Sequence, residues 1–393
     1  MSSVQHGSRE KGHTDAEAVV HGNSQFALQL YRQLKEREGN LFFSPYSVST
    51  ALAMTYAGAR GNTERQMAQA LRFPLGQKRL HPAFTSLEAG LHAVQGRGSI
   101  QLRVANALWP QGGYAFLKEF LVLAREYYGA LITPLDYGDP EAARETINVW
   151  VEEKTEEKIK DLIVPGVLDV LTRLVLVNAI YFKGDWASQF DKALTEKAPF
   201  WMTPAQKVDV PLMTRESTLK YTETDSLQVL ELPYVGQDLS MIVLLPKRID
   251  GLAELEKALT VENLGKWTSR LWERDVQVFL PRFKMTSQFR LDGALISLGM
   301  IDAFDGDRAD FSGMDGRARW LYISAVIHKA FVDVNEEGTE AAAATAVVMM
   351  ARCIPPPPAT FRADHPFVFL IRENHTGSIL FLGRVVNPMS RPA

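Results

Sequence analysis

Residues 336–358 read E-E-G-T-E-A-A-A-A-T-A-V-V-M-M-A-R-C-I-P-P-P-P, and few folds can hold such a stretch in a single state. Between Gly338 and Pro358 only Glu340 and Arg352 carry charge. Alanine is the best helix former, so local propensity favours a helix over 341–344. The stretch nevertheless follows a predicted strand and ends at four prolines, and Val347 to Met350 are more strand-like. In an extended chain one face carries Thr339, Ala341, Ala343, Thr345 and Val347. These are uncharged and mostly small, and fit between two neighbouring strands. Glu340, Ala342, Ala344 and Ala346 point the other way. Two states suit such a segment: a loop tethered at both ends and open to a protease, or, after a cut, a strand in a sheet. Arg352 is its only basic residue, and the acidic pocket of a trypsin-like protease takes an arginine. A plain surface linker with an incidental arginine also fits these residues.

The rest of the chain decides which frame this stretch belongs to. Of 393 residues 46% are hydrophobic, enough for a large core. Length alone suggests two or three domains, but no repeat, low-complexity run or linker divides the chain. The net charge of -3 gives no general attraction to nucleic acid or acidic membrane, and no apolar run is long enough to span a bilayer. Cys353 is the single cysteine, which excludes an internal disulfide framework and leans towards a reducing compartment. Residues 1–20 lack the apolar core of a signal peptide, so the chain is expected to be either intracellular or a mature form whose leader is missing, with the cytoplasm slightly favoured over an extracellular setting. Residues 1–22 are expected to be a disordered lead-in, and 23–390 one domain.

Ser24 is placed to cap a helix whose one face holds Phe26, Leu30, Tyr31 and Leu34. Pro45 opens a helix buried on most sides, closed by Gly58 and Gly61. Thr63 and Gln66 have the spacing of a capping box. Helices are expected over 116–128, 142–163 and 290–298. The run L-V-L-V-N-A-I-Y-F at 174–182 is almost uniformly apolar, as in a strand covered on both faces. Strands are expected on either side of Gly236-Gln237-Asp238 within 227–246, over 276–283 and over 320–334. A last hairpin joins 366–371 to 379–386. There is no G-x-S-x-G elbow, H-E-x-x-H, G-x-x-x-x-G-K or zinc-type cysteine pair, so nothing points to catalysis, a metal or a cofactor.

Several segments together resemble the serpin family: N-L-F-F-S-P-Y-S-V at 40–48, G-A-R-G-N-T at 58–63 and L-V-N-A-I-Y-F-K-G-D-W at 176–186, then L-S-M-I-V-L-L-P at 239–246, L-P-R-F at 280–283 and A-V-I-H-K-A at 325–330, and finally E-E-G-T-E-A-A-A-A-T at 336–345 and A-D-H-P-F-V-F-L-I-R at 363–372. The resemblance covers about 23–388. It implies an α+β fold: one domain of three β-sheets and eight to nine helices, with an exposed reactive loop at about 336–358. It also implies irreversible suicide inhibition, in which the protease cuts the loop and forms an acyl-enzyme. The cut loop then enters the central sheet, and serpin loop insertion is itself an established instance of strand addition driven by stored strain.

Counted along the family's loop, the reactive bond is Arg352-Cys353, which implies a trypsin-like serine protease as the covalent partner. Hinge positions fall on Glu336, Gly338, Thr339, Ala341, Ala343 and Thr345. Ser44, Ser47, Asn178 and His328 match the family's polar cluster behind the central sheet, the shutter. Trp186 matches the tryptophan at the top of the sheet where the loop enters, the breach. The protein is expected to be a monomer, with polymerisation through the unfilled slot as a hazard. A non-inhibitory carrier, chaperone or storage protein and an inhibitor of papain-like cysteine proteases are the alternatives.

Overall fold

The computed structural model describes residues 14–95, 100–113, 115–339 and 357–390. The chain opens with helix α1 (Asp15–Leu34), so the expected lead-in stops short of residue 22. The reason is a full capping box: Thr14 Oγ1 accepts from Glu17 N at 3.2 Å and Glu17 Oε2 accepts from Thr14 N at 2.7 Å. Ser24, expected as the cap, lies inside the helix and donates to Val20 O at 2.9 Å. Strand β1 (Leu41–Phe43) leads into α2 (Pro45–Tyr56), which is buried at every position. Next come α3 (Gly61–Ala70) and α4 (Gln77–Gln95). Thr63 and Gln66 form no capping box. They accept instead from Asp310 N at 2.9 Å and from Asp302 N at 2.7 Å, fastening α3 to a distant loop.

Strand β2 (Ile100–Pro110), α5 (Lys118–Tyr128), β3 (Leu131–Ile132) and α6 (Pro140–Lys154) follow. The expected helix over 142–163 ends nine residues early. Glu156 and Glu157 turn the chain with φ of 51° and 59°, and Asn148 holds the returning Ile163 backbone by bonds of 2.8 and 2.9 Å. The returning segment is tied to the sheet below it by Lys329 Nζ, which donates to Lys160 O at 2.7 Å.

Strands β4 (Leu174–Asp185), β5 (Glu196–Thr203), β6 (Gln206–Glu223), β7 (Leu227–Pro233) and β8 (Leu239–Pro246) build most of the sheet framework. Helices α7 (Leu252–Ala258) and α8 (Val261–Thr268) precede β9 (Trp272–Pro281) and β10 (Phe283–Arg290). Helices α9 (Asp292–Ser297) and α10 (Ser312–Asp315) come before β11 (Ala325–Val334). The expected strand over 320–334 begins only at Ala325, where pairing starts. Strands β12 (Gly338–Thr339), β13 (Ala359–Arg362), β14 (Phe367–Glu373) and β15 (Ile379–Val385) complete the fold.

The central sheet has the order β10-β11-β4-β2-β3, with β12 also on β4. A second network runs β1-β15-β14-β8-β7-β6-β9-β13, with β5 on β6. The long β6 divides it, pairing β7 through Lys220 to Glu223 and β9 through Leu212 to Tyr221. Two sheets and a third set of strands are thus combined with helices in a single α+β domain.

Strand β4 is the spine. Leu174, Leu176, Ile180 and Phe182 enter the larger core, with Phe42, Phe369 and Phe381. Val175, Val177, Ala179 and Tyr181 enter the smaller core beneath α6. The period of two, apolar on both sides, is what a strand covered on both faces requires.

Candidate functional site

Strands β4 and β11 run parallel, Val175 to Tyr181 against Ala325 to Phe331. Beyond Phe331 they part. Val332 to Val334 continue to pair with β10 on the outer side only, while β4 runs on to Asp185. The central sheet is therefore closed along its lower part and open at its upper end.

The closed part is fastened by a buried polar cluster. Asn178 and His328 are register partners across the parallel ladder. They share the parity of Leu176 and Ile180, so both face the larger core. Ser44 N donates to His328 Nε2 at 3.0 Å. A backbone N–H can only donate, so Nε2 is unprotonated and Nδ1 carries the hydrogen, donating to Asn178 Oδ1 at 2.5 Å. The Asn178 amide donates to Ser47 Oγ at 2.5 Å and to Asn106 Oδ1 on β2. Ser44 Oγ accepts from Ser47 N at 3.1 Å and donates to Leu380 O at 2.6 Å. One network thus links α2 to β2, β4, β11 and β15. Parting β4 from β11 breaks the His328–Asn178 bond and leaves both groups buried without that partner, which is costly.

Burial pulls the His328 imidazole down to about 3, against about 6.5 in an unfolded chain. Above about pH 6.5 neither state binds the proton and this group adds no pH dependence. Below it the unfolded chain takes up a proton that the fold refuses, so stability falls as the pH falls towards 3. His328→Gln removes this contribution. Between pH 7 and pH 5 the variant is expected to lose about 2 kcal/mol less stability than the native chain, as read from urea unfolding at the two pH values. Equal losses would show that His328 is not held neutral.

At the open end the chain turns back from β11 into the gap. Asn335 N donates to Gly338 O at 2.9 Å. Gly338 then pairs with Asp185, and Thr339 with Gly184, antiparallel to β4. Gly338 has φ of +140°, and a Cβ there would lie 2.4 Å from Gly184 O and 2.5 Å from Asp185 Cα. Only glycine allows this approach. Glu336 is 2% exposed; its carboxylate accepts from Thr195 Oγ1 at 2.7 Å and pairs with Arg282 at 3.5 Å. Glu337 pairs with Lys192. Trp186 stacks on Tyr234 at 4.7 Å, and its indole nitrogen donates to Asn335 O at 3.0 Å. Trp186 N donates to Glu337 O at 3.0 Å.

The structure brings Ser44, Ser47, Asn178 and His328 into one cluster, and Trp186, Glu336, Gly338 and the Thr339 backbone to one end of the gap. Ala341, Ala343, Thr345, Arg352 and Cys353 lie outside the described residues. Sequence reasoning missed Asn106, Thr195 and Arg282. Asn106 was detectable as a lone amide in V-A-N-A-L-W, and Arg282 lies within L-P-R-F. Thr195 has no comparable local signal. Among the described residues no helix is long and apolar enough to cross a membrane.

Comparison with known proteins agrees with this architecture. Residues 21–388 match the family described as Serpin (serine protease inhibitor). The leukocyte elastase inhibitor of Equus caballus is 45% identical over 384 residues, covering 95% of this chain and 100% of that protein. Serpin B6 of Macaca fascicularis is 45% identical over 381 residues with the same coverage. Among solved structures, Serpin48 of the insect Tenebrio molitor superimposes with a TM-score of 0.84 at 34% identity, covering 96% of this chain and 100% of that one. With its central sheet closed below and open above, the chain belongs to the serpin family of serine protease inhibitors.

Proposed function

We propose that this serpin is an irreversible suicide inhibitor of trypsin-like serine proteases, cut at Arg352-Cys353. The observation that carries the reading is the antiparallel pairing of Gly338 and Thr339 with β4 at the mouth of the gap. A strand already begun there needs only a free end to continue. The thirteen residues from Thr339 to Ala351, extended at roughly 3.3 Å each, span about 40 Å. That length carries a protease attached at Arg352 from one pole of the domain to the other.

The chemistry begins as ordinary proteolysis. The protease serine attacks the Arg352 carbonyl, and its proton passes through the protease histidine to the departing amine of Cys353. An ester then joins Arg352 to the protease. Insertion competes with water for this ester. If insertion is faster, the protease is displaced before deacylation and stays bound. Glu336, Gly338 and Thr339 are the hinge that starts the strand. Ser44, Ser47, Asn178 and His328 are the fastening that must open, and Trp186 lines the entry.

The target class rests on Arg352. Relatives at 45% identity carry the name leukocyte elastase inhibitor, which favours a second reading: an elastase-like protease cutting at Met350. The two separate by substitution. Arg352→Ala is expected to lower the rate of trypsin inhibition by about three orders of magnitude or more, because it leaves the acidic pocket unpaired. Inhibition of an elastase should be little changed or improved. Mass spectrometry of the released peptide, beside a gel for covalent adducts, reads both outcomes. Trypsin inhibition that survives the substitution would overturn the arginine assignment. Cleavage without an adduct would favour a non-inhibitory carrier, and adducts formed only with papain-like enzymes would favour a cysteine-protease inhibitor.

A further inference from the structure

We propose that the cavity between α4 and the turn joining β14 to β15 binds a protonated amine with an apolar body. The cavity holds about 330 Å³, which is within the range of small-ligand sites. This site uses neither the bait nor the reactive bond, so it stands or falls apart from the protease reading.

Helix α4 supplies the apolar side. Leu87, Leu91 and Val94 share one helix face, line the cavity and are buried. Ser86, Gly90 and Ala93 line it too but are exposed, so small side chains rim the mouth. Gly90 lies well inside α4, where only proline is a poorer helix former. A Cβ at Gly90 would meet nothing within 4 Å. Packing therefore does not require glycine there, and what its missing side chain preserves is the opening.

The opposite side is acidic. Asp238, from the hairpin between β7 and β8, lines the cavity with Glu373 and His375. Asp238 and Glu373 are both buried. Glu373 Oε1 accepts from His375 N, and its Oε2 from Thr376 N and Oγ1. Asp238 Oδ1 pairs with His375 Nε2 at 3.1 Å. Among the described residues that line the cavity there is no lysine or arginine. Two buried carboxylates with one exposed imidazole between them attract a cation and repel an anion.

Ser378, on the same side, is the independent sign of a ligand. It lines the cavity and is 4% exposed. Its N–H donates to Thr376 Oγ1 at 3.2 Å, and its carbonyl accepts from Glu373 N at 3.0 Å. Its hydroxyl is buried with no hydrogen-bond partner, a state that folded chains rarely leave uncorrected. That oxygen can accept from an ammonium group, whose charge is met by Asp238 and Glu373. The apolar body then lies along Leu87, Leu91 and Val94, out of water.

The test uses the full chain and three probes of similar shape: phenethylamine, phenethyl alcohol and phenylacetate. Titration calorimetry at pH 7 reads their affinities. The amine is expected to bind about tenfold more tightly than the alcohol, the effect of one charged hydrogen bond, and the acid most weakly of the three. Gly90→Leu, which sets a side chain across the mouth, should weaken amine binding about tenfold or more, whereas Gly90→Ala should change it little. Asp238→Asn should remove most of the amine's advantage and leave the alcohol's affinity as it was. That ratio decides the matter should Gly90→Leu fold poorly. Failure of the amine to bind, equal affinity for all three probes, or an advantage that survives Asp238→Asn overturns the inference. So does amine binding that a folded Gly90→Leu chain retains in full.

Discussion

Thr339→Arg is expected to abolish the covalent complex while leaving cleavage after Arg352 intact. Thr339 is the second residue of β12, paired with Gly184 of β4. Every later residue of the inserting strand must follow it into the sheet. The neighbouring Gly338 shows how close that approach is, since a Cβ there would overlap the β4 backbone. An arginine at position 339 must either enter the sheet as a desolvated charge, costing several kcal/mol, or hold the strand out. Each 1.4 kcal/mol added to the insertion barrier slows insertion about tenfold relative to hydrolysis. The protease should then turn the chain over as a substrate, with about a hundredfold or more chain consumed per protease inactivated. Counting inhibitor molecules used per protease lost measures this directly. Thr339→Ser, uncharged and smaller, should change little. Inhibition by the arginine variant at the native stoichiometry would show that this strand does not insert.

The same logic explains which parts of the molecule were readable from the chain. Strand β4 was legible because both of its faces are buried, so its residues are apolar without a break. The hairpins were legible from their turns. Strands β2, β5 and β6 and helix α4 were not. Seven of the eighteen residues of β6 are exposed, all of them polar, so its period is weak, and α4 carries an internal proline, Pro82. The start of α1 was misplaced because Ser24 and Thr14 are both cap-forming residues. The choice between them was made by Glu17, three residues after Thr14. The capping box at Thr63 and Gln66 failed for a tertiary reason: the backbone of residues 301–310 competes for both side chains.

The candidate site divides along the same line. Ser44, Ser47, Asn178 and His328 were all reached through the family resemblance, and Asn106 was overlooked although it faces Asn178 across the ladder. A hydrogen-bond network is a property of register, and register between β2 and β4 leaves little trace in either strand alone. The Glu336–Arg282 pair spans distant segments for the same reason. The expectation of two states for residues 336–358 falls mostly on residues 340–356, which lie outside the described residues.

Cleavage of the bait is expected to raise the melting temperature, whereas nicking an ordinary loop lowers it or leaves it alone. The reason begins with what is unpaired in the intact molecule. β4 and β11 are parallel and part at Tyr181 and Phe331. A strand between them runs antiparallel to both, and antiparallel ladders are slightly the more stable per residue. The size of the gain follows from the task. Holding a protease distorted requires an energy comparable with a folded domain's own stability, about 5–15 kcal/mol. Unfolding entropy of about 2 cal/mol/K per residue over 393 residues makes each degree worth about 0.8 kcal/mol. The cleaved chain should therefore melt about 6 to 20 °C above the intact one. Calorimetry at pH 7, where His328 is uncharged in both the folded and unfolded states, measures the difference. The arginine variant at position 339 is the control: cut at the same bond but barred from insertion, it should show no such rise. If the native chain too melts no higher after cleavage, the sheet holds no strain for the cut to release, and the trap has nothing to drive it.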